Sequence, residues 1–436
     1  MYLTGRLAAA VSAGILPVVL LSGAGVPAWA VAGAWILLCG ALTAIDVALA
    51  PSPRALTVER RLPERALRDQ PVATTLLLHN TGRRRLRGRV RDGWQPTAGA
   101  PATRPAIDIP AGERRRVDIP LRPRRRGELR TGFVAVRSRG PLGLAGRQRL
   151  QDAPGALRVL PPFTSRRHLP SRLARLRELD GNTSIQVRGQ GTEFDSLREY
   201  VRGDDVRSID WRATARAGTT MLRTWRPERD RHVVIVVDTG RTSAARVGDG
   251  IRLDAAMESA LLLSALAARA GDHVHLVMFD RVVRARVTRR DGPALLPALV
   301  DAMAPVEAQL IDTDWEAAVA QVRAFTSRPS LVVLLTAQDA VDSARGFLAA
   351  LPALTGRARV LVGAATDEAD DAGHRVDRRT ADDVYREAAR ERAARDAARV
   401  ADAVRRAGGD AVSATPEDLP PAIADRYLAL KAAGRL

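Results

Sequence analysis

GQGTEFDSLREYVRGDDVRSIDWRATARAGTTMLRTWRPERDRHVVIVVD, residues 189–238, is the stretch whose reading decides the fold. Arginines and acids nearly balance and are interleaved with apolar residues, which predicts a folded surface with paired charges rather than a solvated tail. Phe194, Leu197 and Tyr200 fall at helical spacing, and Gly203 would end that turn. RSIDWRATAR then alternates, placing Ile209, Trp211 and Ala213 on one face of an expected strand. ARAG reads as a turn and TTMLRTWRPE as a returning strand. The acids Glu193, Glu199, Asp204, Asp205, Asp210 and Glu228 are of the type that ligates metals or moves protons. Their structural alternative is an Arg–carboxylate network. The segment has no lysine, which argues against a nuclease that needs one beside its acids. GQG at 189–191 lacks both the preceding strand and the G-K-[ST] of a phosphate loop.

The stretch ends on HVVIVVD (232–238), an apolar run of strand length. Beyond it, apolar strands alternate with Ala-rich helices: 253–271, 273–280, 281–287 (an edge strand), 292–303, 313–328, 330–336, 357–365, 380–407, 410–415 and a closing helix. This order predicts a doubly wound α/β domain over 232–436, with its site at the carboxyl ends of the strands, at Asp238, Asp280 and Thr336. Asp238-Thr-Gly-Arg-Thr242 resembles the loop with which von Willebrand factor A domains begin a metal-ion-dependent adhesion site. One carboxylate with hydroxyls suits Mg²⁺, the candidate ion, with Asp238, Thr242 and Thr313 as its ligands. Gly240 carries no hydroxyl, and Thr336 is followed by Ala337 with Asp339 displaced, so the adhesion-type pattern is degenerate.

N-terminal to the stretch, 163–231 reads as a linker helix (169–181) followed by the signature itself. Over 51–162 the period is two: 55–62, 72–80, 115–123 and 131–138 are expected strands, separated by turns at 80–82, 110–112 and 125–127. That spacing predicts a small β-sandwich, with Gly140, Pro141 and Gly143 as a tight turn. Residues 7–22 and 28–45 are two uncharged apolar runs joined by GAGVP, so 1–50 reads as a transmembrane hairpin, with a signal peptide, Arg6 as its n-region, the rival reading of the first run. Arg6 before it and Arg54, Arg60 and Arg61 after it place both ends in the cytoplasm by the positive-inside rule. The expected location is the inner membrane, multi-pass, with the bulk of the chain in the cytoplasm. Asp46 is expected at headgroup level, and Trp29 and Trp35 at an interface or facing lipid.

At 436 residues and 46% hydrophobic, the chain can bury several cores; with 4% aromatics these must be aliphatic. The net charge of +19 sits almost wholly in 54–170, and Lys431 is the only lysine. The triple-arginine runs at 83–85, 114–116 and 124–126 suit an anionic leaflet or protected strand edges. Sparse aromatics among them argue against a nucleic-acid partner. The single Cys39 excludes an internal disulfide and a Cys-based zinc site.

Three features coincide: the hairpin; RG-x-L-x-x-G…GPLGL over 126–144; and G-x-EF-x-x-LREY-x-x-GDD-x-R-x-IDW-x-x-x-AR over 191–216, leading through ERDR to Asp238. Together they resemble the bacterial domain of unknown function 58 (DUF-58) family, which carries a von Willebrand A-like domain. The resemblance implies a membrane-anchored interaction or assembly factor and no particular enzymatic activity, so the chain is expected not to be an enzyme. It implies a MoxR-type AAA+ ATPase or another protein ligand as partner, in chaperone-like maturation or envelope processes, with lipid met through the hairpin. The interaction surface would be Glu193, Phe194, Arg198, Tyr200, Gly203, Asp204, Asp205, Arg207, Asp210, Trp211, Arg216 and Glu228. The competing expectation is a metal-assisted hydrolase using the acids of that surface.

Overall fold

The computed structural model describes residues 1–183, 193–202, 204–226, 231–248, 250–338, 340–366 and 380–436. It divides into two compact units, Met1–Leu160 and Pro161–Leu436.

The first unit begins with β1 (Tyr2–Leu3), then α1 (Gly5–Ala13), α2 (Ile15–Gly23) and α3 (Ala28–Leu49). The stretches Gly5–Gly23 and Ala28–Ala55 are long and apolar enough to cross a membrane. Their side chains face outward, as at Leu16, Leu20, Ile36 and Leu37, a large exposed apolar surface of the kind that marks an interaction site. Gly14 lets the two runs approach: a Cβ there would lie 2.3 Å from Trp35 Cδ1. Trp35 Nε1 donates to Ala10 O at 3.0 Å. Trp35 therefore packs between the helices, correcting its expected lipid-facing role.

Two sheets follow. β2 (Leu56–Arg61), β4 (Val72–Asn80) and β7 (Arg114–Leu121) form one, in the order β2-β4-β7; β3 (Arg65–Leu67), β5 (Leu86–Trp94), β6 (Ala106–Ile109), β8 (Gly127–Arg139) and β9 (Ala145–Leu160) join β1 in the other. Alternate residues of both meet in one core, including Leu76, Leu78 and Ile119 against Val90, Val134 and Leu157. Arg60 on β2 reaches the opposite sheet, donating to Asp92 at 2.6 and 2.7 Å. Both side chains are nearly sealed from solvent. Trp94 Nε1 and Thr131 Oγ1 complete the Asp92 shell, so this buried charge pair is also hydrogen-bonded, as burial requires.

The GPLGL turn has a specific task. Asp46, fully buried near the end of α3, accepts the backbone N–H groups of Leu142 (2.7 Å), Leu144 (2.8 Å) and Ala145 (2.9 Å). A Cβ at Gly140 would lie 2.2 Å from Asp46 Oδ1, and Gly143 has φ +72°; both positions need glycine for the loop to close round the carboxylate. Asp46 is thus a structural anchor for the sandwich and not a group exposed to headgroups.

The second unit opens with α4 (Leu169–Thr183), which is no linker: Leu176 enters the main core. β10 (Glu193–Glu199) pairs antiparallel with β11 (Met221–Arg226), and α5 (Trp211–Ala217) lies between them in sequence. The expected helix over Phe194–Tyr200 is therefore a strand, and the expected strand at 207–216 holds a helix. Pairing with β11 overrides the helical spacing in the first case. In the second, Asp210 accepts from Arg212 N and Ala213 N as an N-cap, and Gly218 ends the helix at φ +75°.

β12 (His232–Asp238) then starts the α/β sheet. After a small ribbon, β13 (Arg246–Val247) and β14 (Gly250–Ile251), come α6 (Arg252–Arg269), β15 (His273–Phe279), β16 (Val283–Val287), α7 (Leu295–Met303), α8 (Trp315–Phe325), β17 (Leu331–Leu335), α9 (Arg345–Ala350), α10 (Pro352–Thr355), β18 (Arg359–Ala365), α11 (Ala381–Arg406), β19 (Asp410–Ala414) and α12 (Leu419–Ala432). The sheet order is β16-β15-β12-β17-β18-β19, parallel except for the antiparallel edge β16. Helices α6, α7 and α12 cover one face and α8 to α11 the other. Because the chain winds outward in both directions from β12, the switch point lies between β12 and β17, beside Asp238.

At the opposite ends of the strands, His275 is buried, with Nδ1 against Thr288 Oγ1 (2.8 Å) and Nε2 against His232 Nδ1 (3.0 Å). Burial, then the neighbouring His232, pushes its pKa down to about 4.

Two predictions follow from these contacts. Asp46→Ala leaves one buried and two part-buried N–H groups without their acceptor and should cost about 2–4 kcal/mol in thermal unfolding of the detergent-solubilised chain, with Asp46→Asn intermediate. For His275, the unfolded chain takes up its proton near pH 6.5 and the folded one near 4. Its contribution to stability is therefore complete above pH 6.5 and lost as pH falls towards 4, by about 2 kcal/mol after solvent screening. His275→Gln should flatten that part of the melting profile.

Candidate functional site

The switch point gathers one carboxylate and three hydroxyls. Asp238, 1% exposed, is delivered by the last residue of β12. Its Oδ1 accepts from Gly240 N (2.8 Å) and Thr313 Oγ1 (2.5 Å). Its Oδ2 accepts from Thr336 Oγ1 (2.6 Å) and Thr242 Oγ1 (3.2 Å). Thr336 follows β17, the neighbouring strand, and in turn accepts from Gln338 Nε2 at 3.0 Å. The loop that brings Thr313 is stitched to the strand end by Arg241 N donating to Ile311 O and Gln309 N donating to Thr239 O. Asp238, Thr242 and Thr313, drawn together on sequence alone, do converge. Thr336 belongs with them; its place directly after an apolar strand next to β12 is the signal for it. Asp339 lies outside the described residues.

A second acid closes the next strand. Asp280, also fully buried, accepts from Arg284 Nε (2.6 Å), Arg281 N (2.6 Å), Val282 N (3.1 Å) and Thr239 Oγ1 (2.9 Å). Burial pushes its pKa up, but the Arg284 guanidinium and the backbone N–H groups outweigh that, and the carboxyl is held below its usual range. Asp280 thus serves its own strand end and is not shared with Asp238.

The residues round Asp238 do not fit a resident Mg²⁺ as they are arranged. Both carboxylate oxygens already take two donors each, which is about their capacity. An ion would have to turn the threonine lone pairs towards itself and strip those donors from Asp238. Position 240 is closed as well: a Cβ on Gly240 would meet Thr313 Oγ1 at 2.3 Å and Ile311 O at 2.9 Å. The volume a serine hydroxyl would use at 240 is filled by the Thr313 hydroxyl. Among the described residues no group of three or more His, Cys, Asp or Glu side chains is placed to hold a metal.

Three of the signature acids, Asp204, Asp205 and Asp210, are bonded locally. Asp204 accepts from Arg198 Nη2 (2.6 Å) and Val201 N (3.0 Å). Asp205 caps a short turn through Arg207 N (3.0 Å). Asp210 caps α5 and takes Arg223 at 2.7 and 2.9 Å; the Ala213 N–H first, then the Arg223 guanidinium, hold its pKa below the usual range. Tyr200 extends the β10–β11 ladder, its N–H donating to Thr220 O. Glu193 and Phe194 stand opposite Arg226 and Trp225 in the register. Gly203 and Glu228 lie outside the described residues. Outward on the hairpin stand Trp211, 71% exposed, Val201, 62%, and Val206, 61%, with Arg202, Arg207, Arg212 and Arg216 and the acids Glu199 and Asp205 also exposed.

Residues 196–403 match the family described as Protein of unknown function DUF58. The match supports that family and covers both the outward surface of the hairpin and the Asp238 cluster. No curated protein matches the chain. Among solved structures, alpha-2-macroglobulin from Escherichia coli, spanning domain MG7 to the C-terminus, is 15% identical over 25% of this chain and 17% of that one, TM-score 0.21. A CARDB domain from Pyrococcus furiosus is 15% identical over 24% of this chain and 91% of its own, TM-score 0.19. An ASH/PapD-like domain of human CEP192 is 13% identical over 25% and 89%, TM-score 0.19. The chain spans about a sixth of the first of these, and likenesses this low carry no argument.

Gly240→Ser should destabilise the DUF58 segment by about 1–3 kcal/mol, because the new side chain collides with Thr313. Adding Thr313→Ala should recover only part of that loss, because the Ile311 carbonyl still crowds the new Cβ and Asp238 loses a donor; a double-mutant cycle of thermal melts would read the coupling directly.

Proposed function

We propose that the protein is a membrane-anchored interaction and assembly factor, whose DUF58 segment is a von Willebrand A-like scaffold presenting the β10–β11 hairpin to a protein partner. The sheet order with one antiparallel edge, and the Asp–Thr cluster at the switch point, support the von Willebrand A-like reading. A partner of MoxR AAA+ type is the one implied by the family resemblance drawn from the sequence. The observation that carries the proposal is the outward Trp211 with Val201 and Val206. A large aromatic left mostly in water beside two aliphatics, on a hairpin stiffened by Arg198–Asp204 and Arg223–Asp210, is the composition of an interface centre.

Asp238 in this reading is a hydrogen-bonded hub that fixes the loops around the strand ends, with no ion required. The anchor is the N-terminal helical hairpin. β1, before the first helix, pairs with β9, beyond the last, through Tyr2 opposite Gly146 and Leu3 opposite Ala145. That pairing supports a hairpin whose two ends emerge on the same side of the bilayer, and the arginines beyond both ends favour the cytoplasmic side.

The test is binding of the full chain, in detergent or nanodiscs, to a MoxR-type ATPase with nucleotide and Mg²⁺ supplied. Trp211→Ala should weaken binding roughly thirtyfold, the loss expected of a hot-spot aromatic, while the thermal melt stays near that of the parent. Equal affinity for both proteins would remove the hairpin from the interface.

A further inference from the structure

The end of α3 is ringed by guanidinium groups that nothing above employs. Arg147 Nε donates to Val47 O at 3.1 Å and Arg84 Nη1 to Leu49 O at 3.3 Å, so two arginines cap the last carbonyls of the helix. Arg6 and Arg139 flank the GPLGL loop: a Cβ at Gly143 would lie 3.1 Å from Arg6 Nη1 and 3.4 Å from Arg139 Cδ. The loop is held to the start of the chain as well, Thr4 Oγ1 donating to Gly143 O at 2.7 Å and Leu144 O at 3.0 Å. Arg6, Arg84 and Arg139 are exposed and Arg147 is half-buried. The acid at the centre of this collar is Asp46, and its carboxylate is occupied by three backbone N–H groups. The collar is therefore strongly cationic.

It also has an apolar rim. Leu142, at the tip of the loop, is 45% exposed, and Leu3, on β1, is 67% exposed. The loop grips α3 at Asp46, upstream of the helix end at Leu49, which sets the loop tip beside the helix shaft instead of beyond it. Cations beside a helix end, with exposed aliphatic side chains on the loop and on the neighbouring β1, form the arrangement that binds the boundary between headgroups and acyl chains.

We propose that this collar is a binding site for anionic phospholipid, with Arg6, Arg84, Arg139 and Arg147 meeting headgroup phosphates while Leu3 and Leu142 enter the acyl boundary. The occupant is a lipid of the bilayer that holds α1 to α3, so the site rests on the membrane-anchor part of the proposed function. The backbone of the loop is committed to Asp46, leaving the guanidinium groups as its ligand-facing chemistry. The site gives the GPLGL turn a second role: it sets the height of the sandwich against the leaflet, through contacts that change with lipid charge.

The test uses the full chain in a neutral detergent, titrated with dioleoyl phosphatidylglycerol or dioleoyl phosphatidylcholine, with bound lipid counted by native mass spectrometry. Phosphatidylglycerol should be retained in preference to phosphatidylcholine. An arginine near an anionic surface contributes roughly fivefold in affinity, so Arg6→Gln with Arg139→Gln should lower phosphatidylglycerol affinity roughly thirtyfold. The pair Arg395→Gln with Arg399→Gln, exposed on α11 of the second unit, should leave it unchanged. Equal retention of the two lipids, an equal loss in the α11 pair, or displacement of phosphatidylglycerol by millimolar inorganic phosphate would overturn the proposal. Carbonate extraction of native membranes tests the anchor separately: release of the parent chain would sink the anchor, whereas retention together with equal lipid binding would sink the collar alone.

Discussion

A carboxylate at the end of a central parallel strand has to be answered by something, because burial without partners costs several kcal/mol. Asp238 is answered by the chain itself. Three threonine hydroxyls and one backbone N–H, from the strand-end loop, the loop before α8 and the end of β17, all point at it. The loops at the switch point are consequently tied to one atom pair, and Thr239 and Asp280 tie the next strand end beside it. The cluster thereby locks the loops at the switch point into one arrangement.

The β10–β11 hairpin uses its acids in a similar way. Asp204 and Asp210 are taken up in pairing with Arg198 and Arg223 and in capping α5, and the hairpin's exposed side chains include Trp211, the two valines and four arginines. The same division of labour appears in the first unit. Asp46 is consumed in gripping the GPLGL loop, and the arginines round it face outward. In both places a buried or capped acid organises backbone, and cationic and apolar side chains form the surface.

Much of this was legible before any coordinates. The period of two over 51–162 found the sandwich, and alternating apolar runs and Ala-rich helices found the α/β sheet, because burial on one face or two imposes those periods directly. The convergence of Asp238, Thr242 and Thr313 was legible because strand ends at a switch point meet by topology. Three things were hidden. The helix and strand of the signature were exchanged, since short segments owe their state to a cap at Asp210 and a partner strand, neither of which has a period. β1 is two residues long, and its pairing with β9 spans most of the first unit. The GPLGL turn was visible as a turn, but its purpose was not, because an aspartate inside an apolar run carries no mark of the distant N–H groups it accepts.

The account stands on Asp238 being closed by hydroxyls and not by an ion. Calorimetric titration of the metal-stripped full chain with Mn²⁺, which is taken by the same oxygen donors as Mg²⁺, tests this most directly. No saturable heat at millimolar ion, and no change on Asp238→Asn, is the predicted result. One-site binding that is abolished by Asp238→Asn would contradict it.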